Sequence, residues 1–114
     1  MRVHAPVSLA AAVAACLIVL APAAQAADAD AAQALARQNN CFKCHSVDKK
    51  KDGPTFKDTA AKYKGKADAE ARLVKHLTSG EKAKFPDGHE EEHKIIKVKE
   101  QAELKNLIAW ILAQ

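Results

Sequence analysis

Methionine is almost missing from this chain of 114 residues, because Met1 is its single copy. Aromatics are scarce as well, with three Phe, one Tyr and one Trp. Strand signals are lacking: the one β-branched cluster, Ile95-Ile96-Lys97-Val98, is too short to pair by itself, so a sheet-based fold is not expected. No strong excess of one charge is present either, since 18 Lys/Arg against 14 Asp/Glu leave +4, too weak a balance to argue for nucleic acid. Long apolar runs are confined to one place, Val7 to Leu20.

That run, with only Arg2 and His4 polar before it, has the form of a secretory signal peptide. It leads into Ala21-Pro22-Ala23-Ala24-Gln25-Ala26, a small-residue exit that favours cleavage and places the mature start at Ala27. Val13-Ala14-Ala15-Cys16 resembles a lipobox, but the apolar core continues through Leu20, which favours simple cleavage over lipidation or an uncleaved anchor. Residues 1–26 are therefore read as the leader and 27–114 as one domain. Taking 26 residues from 114 leaves 88, near the size at which a hydrophobic core alone is marginal and a staple is expected. The mature chain then has two cysteines, Cys41 and Cys44, no methionine, a formal charge of +3, and no run able to span a bilayer. Its charge is uneven, with nine basic against five acidic residues over 27–66 and eight against nine over 67–114.

Four helices are expected in the mature chain. The first is capped by Asp28 or Asp30, runs through Ala31, Ala34, Leu35 and Arg37, and stalls at Asn39-Asn40. Thr55 opens a second through Phe56, Ala60, Ala61 and Tyr63, closed by Gly65. Asp68 caps a third, in which Leu73, Val74 and Leu77 share a face, closed by Gly80. The last, from about Glu100 to Ala113, places Leu104, Leu107, Ile108, Ile111 and Leu112 on one stripe. Residues 81–98, with Pro86, Gly88 and three consecutive glutamates, read as a loop of functional length. The fold class is all-α.

The chemistry lies at Cys41-Phe42-Lys43-Cys44-His45, a Cys-x-x-Cys-His sequence in a chain read as exported. This is the attachment signature of a c-type haem: two thiols on one helical turn reach the two vinyl groups of a porphyrin, and the adjacent imidazole binds iron. A disulfide, a redox-active thiol pair or half a zinc site are the competing readings, and the chain lacks the βαβ context of a thioredoxin-like pair. One haem, tied at two sulfurs, would also be the missing staple, with Phe42, Phe56, Tyr63, Phe85 and Trp110 available as an aromatic wall.

With that motif, Gly53-Pro54-Thr55-Phe56-Lys57-Asp58, Ala60-Ala61-Lys62-Tyr63-Lys64-Gly65 and Leu107-Ile108-Ala109-Trp110-Ile111-Leu112, nearly all of the mature chain resembles the small bacterial class I cytochromes c. The resemblance implies about four helices wrapped around one covalently bound haem c. It implies that the Pro54 carbonyl accepts from His45 Nδ1–H. It also implies that Trp110 packs near the haem, with the last helix crossing the first.

Most members of that family fill the sixth iron position with a methionine ahead of the last helix, which this chain cannot do. Counting back from Trp110 puts that position close to His93; His89, a lysine such as Lys94, or an open site are the alternatives. His76, beside Leu73 and Leu77 on the third helix, reads as structural. His89-Glu90-Glu91-Glu92-His93 matches the zinc-protease pattern literally, but that motif works on a buried helix, and Pro86-Asp87-Gly88 and the acidic middle positions argue against it here.

Imidazole in place of thioether favours ferric iron and lowers the potential. The sequence therefore points to a periplasmic one-electron carrier rather than an enzyme. Lys43, Lys49, Lys50 and Lys51 near the attachment turn are placed to steer redox partner proteins. A binder or sensor of carbon monoxide or nitric oxide, with a weak or open sixth site, and an electron-transfer subunit of a larger periplasmic oxidoreductase are the alternatives.

Overall fold

The computed structural model describes residues 26–114, so the segment read as a leader, up to residue 25 and with Cys16 in it, lies outside the described residues. Helix α1 spans Ala29–Gln38, a 3₁₀ turn spans Cys41–Lys43, and α2 and α3 span Phe56–Tyr63 and Ala69–Thr78. Strands β1 (Lys82–Lys84) and β2 (Glu90–Glu92) follow, then α4 (Gln101–Leu112). The four expected helices are all present.

Their ends follow from capping chemistry. The Asp28 side chain accepts from Ala31 N–H at 3.0 Å, and Thr55 Oγ1 accepts from Asp58 N–H at 3.0 Å, each satisfying an amide that has no partner inside its helix. Gly65 and Gly80, at φ +74° and +69°, take the left-handed backbone that closes α2 and α3. Asp68 differs from expectation. It precedes α3 but makes no side-chain cap; its carboxylate takes Arg72 Nε at 2.9 Å instead, because a charged partner one turn along outcompetes a backbone amide.

The stripe on α4 is the centre of the core. Leu104, Leu107 and Ile108 are at most 1% exposed, and burying each such side chain contributes about 1.5–3 kcal/mol. Helix α4 packs on α1, α2 and α3. Against α1 it meets Ala32 and Ala36, both fully buried, whose small side chains let the two helices come close. Asn106 of α4 fastens the start of α1 by accepting from Asp28 N–H at 2.8 Å and donating to the Asp28 carbonyl at 2.9 Å.

The segment read as a loop contains a short antiparallel hairpin, pairing Lys82 with Glu92, Ala83 with Glu91 and Lys84 with Glu90. Apolar periodicity gives no sign of it, since both strands are largely exposed and charged. Opposite charges set directly across the ladder support it, each such pair contributing roughly 0.2–1 kcal/mol. Gly88, at φ +91°, makes the reversal. After β2 the chain is fastened to the end of α3: His93 N–H donates to the Glu81 carbonyl at 3.0 Å and Ile96 N–H to the Leu77 carbonyl at 2.8 Å.

Candidate functional site

The attachment turn begins where α1 stops. Asn40 takes a left-handed backbone at φ 57°, a conformation that asparagine tolerates better than most residues, and the chain folds at once into the 3₁₀ turn. Cys44 N–H and His45 N–H both donate to the Cys41 carbonyl, at 3.2 and 2.9 Å, so the two thiols and the imidazole are set by one backbone knot. Both cysteines are half-buried, neither is in a disulfide, and burial pushes the Cys41 thiol above its ordinary pKa.

The His45 ring is held on three sides. Its Nδ1 lies 2.7 Å from the Pro54 carbonyl oxygen, which can only accept, so Nδ1 carries a proton and the neutral ring has its lone pair on Nε2. Phe56 stacks on the ring, centroids 5.5 Å apart and planes 20° from parallel. Gly53 lies against its edge: a Cβ there would sit 2.5 Å from Cε1 and 2.7 Å from Nδ1 of His45. That glycine is a site residue to which the sequence reading assigns no role beyond its place beside Pro54 in the segment that carries the family resemblance. The Gly-Pro pair was the available signal.

Facing this ring across a cavity of about 830 Å³ is His93. The centroids of His45 and His93 are 6.1 Å apart. His93 Nδ1 donates to the Lys94 carbonyl at 3.0 Å, again leaving Nε2 with the lone pair. Burial, reinforced by the neighbouring His76, holds the His93 pKa below that of an ordinary histidine and favours the neutral form that binds metals. His76 lies with its ring 4.1 Å from that of His93 and its Nδ1 2.7 Å from Glu81 Oε1. The contact draws the Glu81 carboxyl below its usual range. His76 thus lies on the cavity wall, which its apolar helix neighbours did not reveal.

His89 is elsewhere. Its ring nitrogens are engaged by the carboxylates of Asp87 and Glu91, its ring stacks on Phe85 at 4.4 Å, and it lines a separate hollow of about 480 Å³. The Asp87 hydrogen bond, then that of Glu91, raises its pKa. His89 and His93 flank a strand rather than sharing a helix face, and no group of three or more metal-ligating side chains occurs among the described residues. Lys94 lines the large cavity beside His93. Pro54 lines it as well, whereas Trp110 sits one layer behind, edge-on to Phe56 at 5.4 Å.

A haem fits these residues. A metal–imidazole bond of about 2.0–2.1 Å on each side, plus about 1 Å from nitrogen to ring centre, asks for centroids about 6 Å apart, close to the 6.1 Å present. Phe56, Leu73, Leu77, Ile96, Leu107 and Ile111 give the cavity an apolar wall, and the two thiols open onto it. Fold and site together define a class: a small all-α protein built around a covalently held haem. The chain matches the family Cytochrome c over residues 29–114 and belongs to it. One covalently bound haem c, with its iron, is therefore its cofactor.

Among curated proteins, it is 42% identical to cytochrome c-551 of Pseudomonas aeruginosa over 57 residues, half of this chain and 55% of that protein. It is 36% identical to cytochrome c-551 of Allochromatium vinosum over 84 residues, 68% of this chain and 80% of that one. Among solved structures, the class 1 cytochrome MtoD from Sideroxydans lithotrophicus ES-1 superposes with a TM-score of 0.75 at 67% identity, covering 77% of this chain and 97% of the other.

Proposed function

We propose that this protein is a periplasmic one-electron carrier of low potential, with thioether links at Cys41 and Cys44 and axial ligands His45 and His93. The observation that carries the reading is the imidazole pair: centroids 6.1 Å apart on one cavity, each ring with its Nδ1 proton given to a backbone carbonyl. When bound, the haem iron supplies the Fe(III)/Fe(II) couple. The residues do the rest. Pro54 fixes the tautomer of His45, as the Lys94 carbonyl does for His93, and two such imidazoles would favour the ferric state. Phe56, Leu107 and Ile111 line the cavity with apolar surface, which would disfavour water beside the bound haem.

Export rests on the leader read in residues 1–26; among the described residues no helix is long and apolar enough to cross a membrane. Lys43, Lys49, Lys50 and Lys51 are exposed beside the attachment turn, where they would steer an acidic redox partner. Lys51 also donates to the Phe42 carbonyl at 2.5 Å, which ties the basic loop to that turn.

Optical spectra of the holoprotein in both redox states, with and without carbon monoxide, test the ligation. Wild type is expected to be low-spin and to resist carbon monoxide, and His93→Ala to become high-spin and bind it. A high-spin wild type that binds the gas freely would replace this reading with that of a gas-binding protein. Electron-transfer rates that fall with rising salt support lysine docking, and a flat profile removes it.

A further inference from the structure

The two imidazoles on this cavity are held unequally. His45 has a hydrogen bond to a carbonyl nine residues away, a stacked Phe56 and a glycine pressed to its edge. The polar anchor of His93 is the carbonyl of its own neighbour, Lys94. A bond to the adjacent residue fixes which nitrogen carries the proton, but it moves with the same stretch of backbone and does little to fix the plane of the ring. The orientation of His93 needs a second contact from another element.

His76 supplies that contact. It comes from the last full turn of α3, and its ring meets the His93 ring at 4.1 Å with planes 42° apart. His76 is itself held, since its Nδ1 pairs with Glu81 at 2.7 Å. Glu81 can turn back to it because Gly80, in the left-handed conformation, reverses the chain immediately before. The Glu81 carbonyl meanwhile accepts from His93 N–H, so one residue anchors both the backbone of His93 and the ring that packs on its side chain. Resting on the reading of His93 as an iron ligand, we propose that His76 is the positioning residue of His93. Clamped by Glu81, it sets the plane of the His93 ring at its 50° tilt to His45 and retards its detachment from iron.

Electron paramagnetic resonance of the ferric holoprotein reads this directly, because the relative orientation of two axial imidazole planes governs the g-values of low-spin iron. His76→Ala is expected to remain low-spin with shifted, broadened g-values. Its ferrous form should be half-saturated at about tenfold lower carbon monoxide, the lower end of what removing a partner of a metal-bound histidine costs. His76→Phe, which keeps a flat ring against His93, should restore both signals. Glu81→Ala should shift them in the same direction as His76→Ala. Wild-type g-values and wild-type carbon monoxide affinity in His76→Ala would overturn the positioning role, even if its Tm fell. The ligand reading fails differently: a low-spin spectrum that survives in His93→Ala would overturn both, whereas loss of that spectrum in His93→Ala with an unaltered His76→Ala would overturn the positioning role alone.

Discussion

The His45 and His93 rings stand 6.1 Å apart, and each gives its Nδ1 proton to a backbone carbonyl, Pro54 for one and Lys94 for the other. Both imidazoles line one cavity, and each has its Nδ1 engaged by the backbone. With no methionine beyond Met1, the proposed ligation would put an imidazole nitrogen where most of the family has a thioether.

Exchanging that nitrogen for sulfur should move the potential in a known direction. His93→Met is expected to raise the midpoint potential by roughly 0.1–0.3 V, within the ~0.8 V range that axial ligands span. Thioether donates less strongly to ferric iron than imidazole does. Cyclic voltammetry of the two holoproteins measures it. An unchanged potential would mean that His93 does not ligate iron in the wild type.

The cofactor should also hold the fold together. A cavity of about 830 Å³ opens among Phe56, Leu73, Leu77, Ile96, Leu107 and Ile111, residues that also belong to the hydrophobic core. Without a group to fill it, these side chains lose their contacts on one face, and the domain is already near the size at which a core alone is marginal. Cys41→Ala combined with Cys44→Ala should leave the chain largely unfolded. Far-ultraviolet circular dichroism checks this, and native helicity without haem would refute it.

Gly53 makes a sharper local prediction. Its φ is not in the left-handed region, so the constraint is space rather than backbone: an added Cβ would lie 2.5 Å from His45 Cε1 and 3.0 Å from the Cys44 carbonyl. Gly53→Ala must push the imidazole off the Pro54 carbonyl or move the backbone, a crowding that costs about 1–3 kcal/mol. Urea unfolding of the holoprotein should show this loss together with a changed ferric spectrum. A loss of stability with the spectrum intact would mean that the backbone yields and the ring does not.

Much of this arrangement can be read from the chain. Thr55, Gly65 and Gly80 mark helix ends by their own chemistry, and the apolar spacing from Leu104 to Ile111 gives α4. Cys41-Phe42-Lys43-Cys44-His45 points to its cofactor by spacing together with the exported, strand-poor context. The hairpin escapes because its strands are Lys-Ala-Lys and Glu-Glu-Glu, whose pairing rests on charge across the ladder and gives no apolar period. The contacts of Gly53 and His76 escape for another reason. Each depends on how close a second element comes, and distance between elements leaves no local mark. Trp110, expected near the haem by resemblance, is a layer behind Phe56, a depth that helical periodicity does not resolve.

The hairpin turn carries a pH dependence centred on His89. His89 has its pKa raised, first by the Asp87 side chain and then by Glu91, while Asp87 is lowered by the His89 backbone amide and then by the His89 ring. A raised histidine contributes stability that is complete below its unfolded pKa and is lost as pH rises through the folded one. A depressed carboxylate contributes stability that is present above its unfolded pKa and is lost as pH falls through the folded one. The pair should therefore support the turn most strongly between the protonation of Asp87 on the acid side and the deprotonation of His89 on the alkaline side. Both groups are exposed to solvent, so the effect on global stability should be slight and the local titration clear. Proton NMR of the His89 ring should show a midpoint above that of an ordinary histidine, and Asp87→Asn should bring it down. A His89 midpoint unmoved by Asp87→Asn would show that the carboxylate does not hold the ring.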